Sequence, residues 1–308
     1  MNNTHKKLFP ANIRSVAVTA PAGPVAPQDL AAAMQILHSL DVKILNYLPA
    51  NATDDVPEYL SASSSERIRL LNAAIRDPET DLILCVRGGF GCMHLLNQID
   101  YQTLRQRKLP VMGYSDITAL HCAMLSKKAG MAIAGTNLMT LQQILPDDFS
   151  CQSHLAALSS DKLPHVLTAP QILQPLNQAA SSINPVKAHA YAANLTVLAA
   201  LCGSEFMPDF QNMILILEDI NEPLYKLDRL LTQLQLNRSF DRLSALVFGS
   251  FTGGGEPAGL EKLLGNIAGM VGCACFKNFT FGHVFPMCAI NSTRQLTLQA
   301  NSNILTVS

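Results

Sequence analysis

Short apolar runs alternate with helical periods along the first half of the chain. Ser15–Thr19 (SVAVT) is a β-branched run that stops at Pro21-Ala22-Gly23-Pro24. Residues 28–40 carry apolar positions at Leu30, Ala33, Met34 and Leu37, the spacing of one helix face. Residues 42–45 read as a strand. Residues 64–76 read as a helix that Ser63 or Ser64 can cap. Residues 82–86 (LILCV) are apolar without a break, as expected of a strand covered on both faces. A short run at 109–112, a helix over 116–129 and a strand at Met131–Ala134 continue the rhythm. This βαβ alternation predicts an α/β fold with a mostly parallel sheet.

From about residue 146 to 190 the pattern changes. The stretch is rich in Ser, Gln, Pro and Asn and has no long clean period. It reads as a connection with short strands. The expected organisation is therefore a first domain over 1–150, a connecting segment over 151–190 and a second domain over 191–308. In that second domain 194–201 looks helical, and 213–217 (MILIL) is a buried strand ending at Glu218. Leu224–Leu236 is amphipathic, with Leu227, Leu230, Leu231 and Leu234 on one face. Residues 244–251 form a strand running into Thr252-Gly253-Gly254-Gly255, then 260–271 a helix, and 294–308 alternates like a strand.

Composition narrows the partners. With 308 residues, 48% of them hydrophobic, the chain can bury sizeable cores. A net charge of −1 leaves no basic excess to neutralise a phosphate backbone, which argues against nucleic acid. No run approaches the ~20 apolar residues that span a bilayer. Lys6 and Lys7 resemble the start of a secretion signal, but Pro10, Asn12 and Arg14 interrupt any apolar segment after them. A cytoplasmic protein with no membrane partner is expected. The eight Cys fall mostly inside apolar stretches and form no C-x-x-C pair, so buried free thiols are expected rather than disulfides or a zinc site.

Four turns could carry chemistry. Gly113-Tyr114-Ser115-Asp116 joins an apolar strand to a helix, at the sheet edge where open α/β folds place their sites. A sharp turn there exposes the Ser115 hydroxyl and aims helical N–H groups at it. Capping by Ser115 or Asp116 is the commoner use of such residues. Arg87-Gly88-Gly89-Phe90-Gly91 follows LILCV and lets backbone N–H groups approach a ligand. It could be half of an oxyanion hole, a phosphate cradle or a plain tight turn. Glu218 could orient a histidine, or lie in a solvated acidic loop. His283, in Phe281-Gly282-His283, is the one histidine of eight in a glycine-adjacent loop after an apolar run. A neutral imidazole is the usual base for a serine nucleophile.

In their order these segments resemble the serine LD-carboxypeptidase family, which includes muramoyl-tetrapeptide carboxypeptidases and microcin C immunity peptidases. The carriers are VAVTAPAGPV, DLILCVRGGFGCMHLL, VMGYSDITALHCAM, AANLTVLAALCGSEF, LILEDINEPLYKLDRLLTQL, ALVFGSFTGG and FGHVFPMCAI. The resemblance implies an N-terminal flavodoxin-like parallel-sheet domain and a smaller C-terminal α/β domain, with the site between them. It implies Ser115 as nucleophile, with Glu218 and His283 completing a triad. Gly88 or Gly89 and the N–H of Asp116 would hold the oxyanion. The implied substrate is a murein tetrapeptide ending in D-Ala, and the implied assembly a homodimer. Arg87 or Arg229 could pair with the substrate carboxylate. No metal or organic cofactor is called for.

Two departures stand out. Ala192-Ala193 replaces a Gly-Gly pair before Asn-Leu-Thr, in what reads as a loop at the domain junction. The segment from His283 to Phe285-Pro286 is shorter than the family's. An aminoacyl-nucleotide substrate of the microcin C type remains open. So do a non-catalytic peptide- or sugar-binding module and a glycine-loop nucleotide-binding enzyme.

Overall fold

The computed structural model describes residues 7–50, 56–161, 163–182, 185–254 and 256–308. Lys6 of the signal-like start, residues 162, 183 and 184 of the connecting segment and Gly255 of the glycine turn lie outside the described residues.

Five strands build the first sheet: β1 (Ser15–Thr19), β2 (Lys43–Tyr47), β3 (Leu82–Cys85), β4 (Pro110–Gly113) and β5 (Met131–Ala134). They pair in parallel in the order β2-β1-β3-β4-β5, the flavodoxin-like order. The order reverses between β1 and β3, so the turns after these two strands flank the crevice where such sheets bind ligands. Helices α1 (Pro27–His38), α2 (Ser64–Arg76), α3 (Tyr101–Arg107) and α4 (Ile117–Ser126) connect them. Ser63 fixes the start of α2, its Oγ accepting from Glu66 N–H at 3.2 Å.

Residues 151–190 contain more regular structure than their sequence pattern suggests. Helix α5 (Phe149–Leu158) is capped by Asp148, which accepts from Cys151 N–H at 2.7 Å. Eight of its ten residues are buried, including Ser150, Ser153 and His154. A helix covered nearly all round shows no apolar stripe, so its period is invisible. Next come β6 (His165–Thr168), β7 (Gln174–Pro175), α6 (Gln178–Ser182) and β8 (Val186–Asn194).

Strand β8 corrects two expectations. Ala192 and Ala193 are not in a loop; they pair with Ile216 and Leu217 of β9 (Met213–Ile220). Asn194 ends the strand, and the helix after it, α7, covers only Leu195–Ala200. Strand β9 also runs past Glu218, which therefore lies within the strand and not at its end. The second sheet is completed by β10 (Ala245–Thr252), β11 (Ala274–Lys277), β13 (Gln295–Leu298) and β14 (Ile304–Val307). Helices α8 (Leu224–Leu236) and α9 (Pro257–Met270) connect β9, β10 and β11. Its order is β6-β14-β13-β8-β9-β10-β11-β7, with β8 to β11 parallel.

The chain then crosses back. β12 (Ile290–Asn291) adds antiparallel to β5 at the edge of the first sheet. Ser150 and Ser153 of α5 accept from the N–H groups of Met287 and Ala289 at 2.9 and 2.8 Å. The loop that holds His283 is thus tied to the first domain within a few residues of the ring.

Candidate active site

The turn after β4 holds Ser115 at φ 64°, a left-handed conformation that non-glycine residues seldom adopt. Such strain is retained where the surroundings enforce it, often at functional sites. The Ser115 side chain is half-buried and reachable. The carboxylate of Asp116 does not cap α4; it accepts from Cys92 N–H of the glycine loop at 2.9 Å. Burial pushes this carboxyl above its ordinary value, and the Cys92 N–H pulls it back down.

Gly88 lies directly against Ser115. A Cβ at Gly88 would come within 2.6 Å of Ser115 Cβ, 2.8 Å of Ser115 Oγ and 3.1 Å of Asp116 N. Only glycine fits there. Its carbonyl accepts from Gly23 N–H at 3.2 Å. In a trans peptide the N–H points opposite to the C=O, so the Gly89 N–H faces away from Gly23. Gly89 itself has φ 116°, again a glycine conformation.

The second sheet supplies side chains. Glu218 has no exposed surface, and both its oxygens are engaged. Oε2 meets His283 Nδ1 at 2.8 Å, and Oε1 accepts from Asn194 Nδ2 at 3.1 Å. A buried carboxylate needs such partners. Because the carboxylate can only accept, Nδ1 is the donor of this pair, and in the neutral ring that leaves Nε2 as the acceptor. Gly282 eases the approach, with φ 140° and a Cβ position only 3.1 Å from Ser250 Cβ and 3.2 Å from Glu218 Oε2.

The two edges meet. The ring of Tyr114, the residue before Ser115, packs on the His283 ring at 5.0 Å between centroids. The Thr118 hydroxyl on α4 accepts from Asn194 N–H at 3.0 Å. The turn with Ser115 and the helix after it therefore abut the loop that carries His283 and the end of β8, whose Asn194 pairs with Glu218 of β9. The two arginines differ in place. Arg87 donates to Pro24 O at 3.1 Å and lies near enough for its charge to act on the Tyr114 phenol. Arg229 is exposed on α8, its guanidinium 5.6 Å from the Tyr225 ring centroid.

Residues 16–135 match the LD-carboxypeptidase N-terminal domain family, and residues 187–298 match the C-terminal domain family. The chain belongs to the LD-carboxypeptidase family. A Streptomyces coelicolor protein named as a carboxypeptidase is 30% identical over 272 residues, covering 87% of this chain and 84% of that one. The murein tetrapeptide carboxypeptidase of Pseudomonas aeruginosa is 28% identical over 279 residues, 87% of each chain. An MccF-like protein of Bacillus anthracis, 20% identical, shares the fold with a TM-score of 0.83 over 98% of each chain.

Within this LD-carboxypeptidase frame, sequence reasoning missed Asn194. Its Nδ2 bridges Glu218 and Asp219 Oδ1 (3.0 Å), while its Oδ1 caps α7 by accepting from Val197 N–H at 3.1 Å. An Asn directly before an apolar helical run was the available signal, and it reads only as a cap. Arg67 gave no signal at all, being one of four charged residues on an ordinary amphipathic helix.

Proposed function

We propose that this chain is a serine LD-carboxypeptidase that releases the terminal D-amino acid of a murein tetrapeptide. The observation that carries the reading is the pairing of His283 Nδ1 with the buried Glu218, in a loop packed against the turn of Ser115. His283 Nε2 takes the hydroxyl proton as Ser115 Oγ attacks the carbonyl carbon of the penultimate L-residue. The oxyanion is held by backbone N–H groups of Asp116 and the glycine loop, where losing one donor costs about 2.7–4 kcal/mol of barrier. The C–N bond breaks as His283 returns the proton to the departing D-Ala amine. Water then attacks the acyl-serine, giving its proton to His283, and the serine leaves as the alcohol. Glu218 holds the imidazole in one tautomer throughout. Arg87 pairs with the substrate carboxylate in this reading, supported by its nearness to the Tyr114 phenol; Arg229, beside Tyr225, has no such support.

We read the enzyme as cytoplasmic and homodimeric. The family resemblance supports this reading. Among the described residues no helix is long and apolar enough to cross a membrane.

The test is D-Ala release from an L,D-tetrapeptide, with an aminoacyl-nucleotide conjugate as a second substrate. Ser115→Ala is expected to abolish release and to lose labelling by a fluorophosphonate while melting normally. Equal turnover by wild type and Ser115→Ala discards the reading.

A further inference from the structure

Arg67 is the largest of the fully buried side chains, 2% exposed on the inner face of α2. A buried guanidinium is costly, and a Met or Leu would fill the same space without a charge to desolvate. Its partners are mostly backbone carbonyls. Nε donates to Ala62 O at 3.0 Å, and Nη1 donates to Pro21 O at 2.6 Å and Gly91 O at 2.9 Å. Nη2 reaches Ser64 Oγ at 3.1 Å and His94 Nδ1 at 3.4 Å. One side chain thus grips the turn after β1, the segment before α2 and the end of the glycine loop.

The grip on the glycine loop is two-sided. The Gly91 carbonyl and the Cys92 N–H belong to one peptide unit. Arg67 Nη1 holds its oxygen, and Asp116 Oδ2 holds its N–H at 2.9 Å. The plane is stretched between a buried cation and a buried anion. Gly91 leaves no slack, since a Cβ there would lie 2.8 Å from Arg67 Nη1 and 2.5 Å from Leu60 Cδ2. The other end of the loop is fixed through the same arginine. Gly23, which holds the Gly88 carbonyl, sits two residues beyond the Pro21 that Arg67 binds. Asp116 meanwhile owns one of the two N–H donors assigned to the oxyanion.

We propose that Arg67 and the Asp116 carboxylate are positioning residues that clamp the Gly91–Cys92 peptide and so set the spacing between the two oxyanion donors. The inference rests on the serine mechanism proposed above. Neither side chain touches substrate in it. A clamp of this kind acts on the transition state more than on substrate binding, because donor spacing matters most when charge has developed on the oxygen.

The experiment uses the full chain with an L,D-tetrapeptide and a fluorophosphonate. Arg67→Lys and Asp116→Ala are expected to lower kcat by about 10–100-fold with KM little changed, as for misplaced rather than deleted donors. Fluorophosphonate labelling slows in parallel, since the phosphonyl adduct places an oxygen in the same hole. Asp116→Asn recovers most of the rate, because its amide oxygen still accepts from Cys92 N–H. Guanidinium ion restores part of the activity of Arg67→Ala. If Arg67→Ala fails to fold, the Asp116 pair decides. Wild-type kcat in both Arg67→Lys and Asp116→Ala overturns the clamp, as does a change confined to KM. Wild-type turnover by Ser115→Ala instead sinks the serine mechanism, so the two failures are distinct.

Discussion

The first sheet builds its half of the cleft from backbone; the second builds its half from side chains. At the first edge the features are a serine at φ 64°, glycines at φ 116° and 114°, and a Gly88 that no Cβ could share with Ser115. At the second edge they are a fully buried carboxylate, an imidazole and an asparagine, joined by hydrogen bonds of 2.8 to 3.1 Å. The division matches what each half would do in the proposed mechanism. Stabilising a transient oxyanion needs fixed dipoles that do not titrate. Moving a proton needs a group that does, held in one tautomer. Precision on the first side is geometric, and on the second side electrostatic. Damage to the two sides should differ in kind.

The largest effects belong to the proton-handling side. His283→Ala is expected to lower kcat on the order of 10⁶-fold, by analogy with other Ser-His-acid sets. Glu218→Gln should cost on the order of 10⁴-fold, because the amide can present a donor to Nδ1 and favour the wrong tautomer. Combining either with Ser115→Ala should add little, since the three act as a unit. Steady-state kinetics on the tetrapeptide checks all three. A Glu218→Gln enzyme within tenfold of wild type would break the assignment of roles between the two edges.

The backbone side should yield a smaller but sharper loss. Gly88→Ala puts a methyl 2.6 Å from Ser115 Cβ, so the loop must shift away from the nucleophile. The expected cost is on the order of 10²–10³ in kcat, the worth of one oxyanion donor. Overpacking also destabilises, by roughly 1–3 kcal/mol. Gly265→Ala on α9 is the matched control, because a Cβ there meets nothing within 4 Å. It should keep full activity and gain about 0.5–1 kcal/mol from the restricted unfolded chain. Thermal melts and kcat for the pair separate a positional effect from a general glycine effect.

What could be seen in the sequence depended on how each element is covered. Strands β3 and β9 announced themselves as unbroken apolar runs because both faces are buried. Helices α2 and α8 could be bounded to the residue, since each has one wet face and a clear start. Helix α5 could not, because Ser150 and Ser153 look like loop residues until Met287 and Ala289 arrive as their partners. The far end of β9 was hidden by the habit of ending a strand at its first charge. Glu218 continues the strand because Asn194 and His283 supply what water would have given it. Ala192 and Ala193 read as loop, and tertiary pairing with β9 overrides that. In the candidate site, the turn around Ser115 and the glycine loop had local signatures. The contact of Glu218 with His283 spans 65 residues and the Arg67 grip on Gly91 spans 24, so neither leaves a local pattern.

Two imidazoles form a last comparison, whose effect is on stability and not on turnover. His283 faces a carboxylate at the cleft; His121, on α4 six residues after Ser115, faces none among the described residues. Its Nε2–H donates to Val111 O at 3.0 Å, and its buried Nδ1 has no hydrogen-bond partner. Burial pulls its pKa from 6.5 down to about 4. The unfolded chain therefore binds a proton here between those values while the folded protein does not. Stability linked to His121 is complete above pH 6.5 and is lost as pH falls towards 4, reaching about 3 kcal/mol at ~1.4 kcal/mol per tenfold. His121→Gln keeps a donor for Val111 O and removes the titration. Urea melts of both proteins from pH 7 to pH 4 should show the wild type losing more stability than the variant by roughly that amount. Parallel curves would mean that His121 takes up its proton without unfolding, and that the nucleophile's side of the molecule is less dry than its packing indicates.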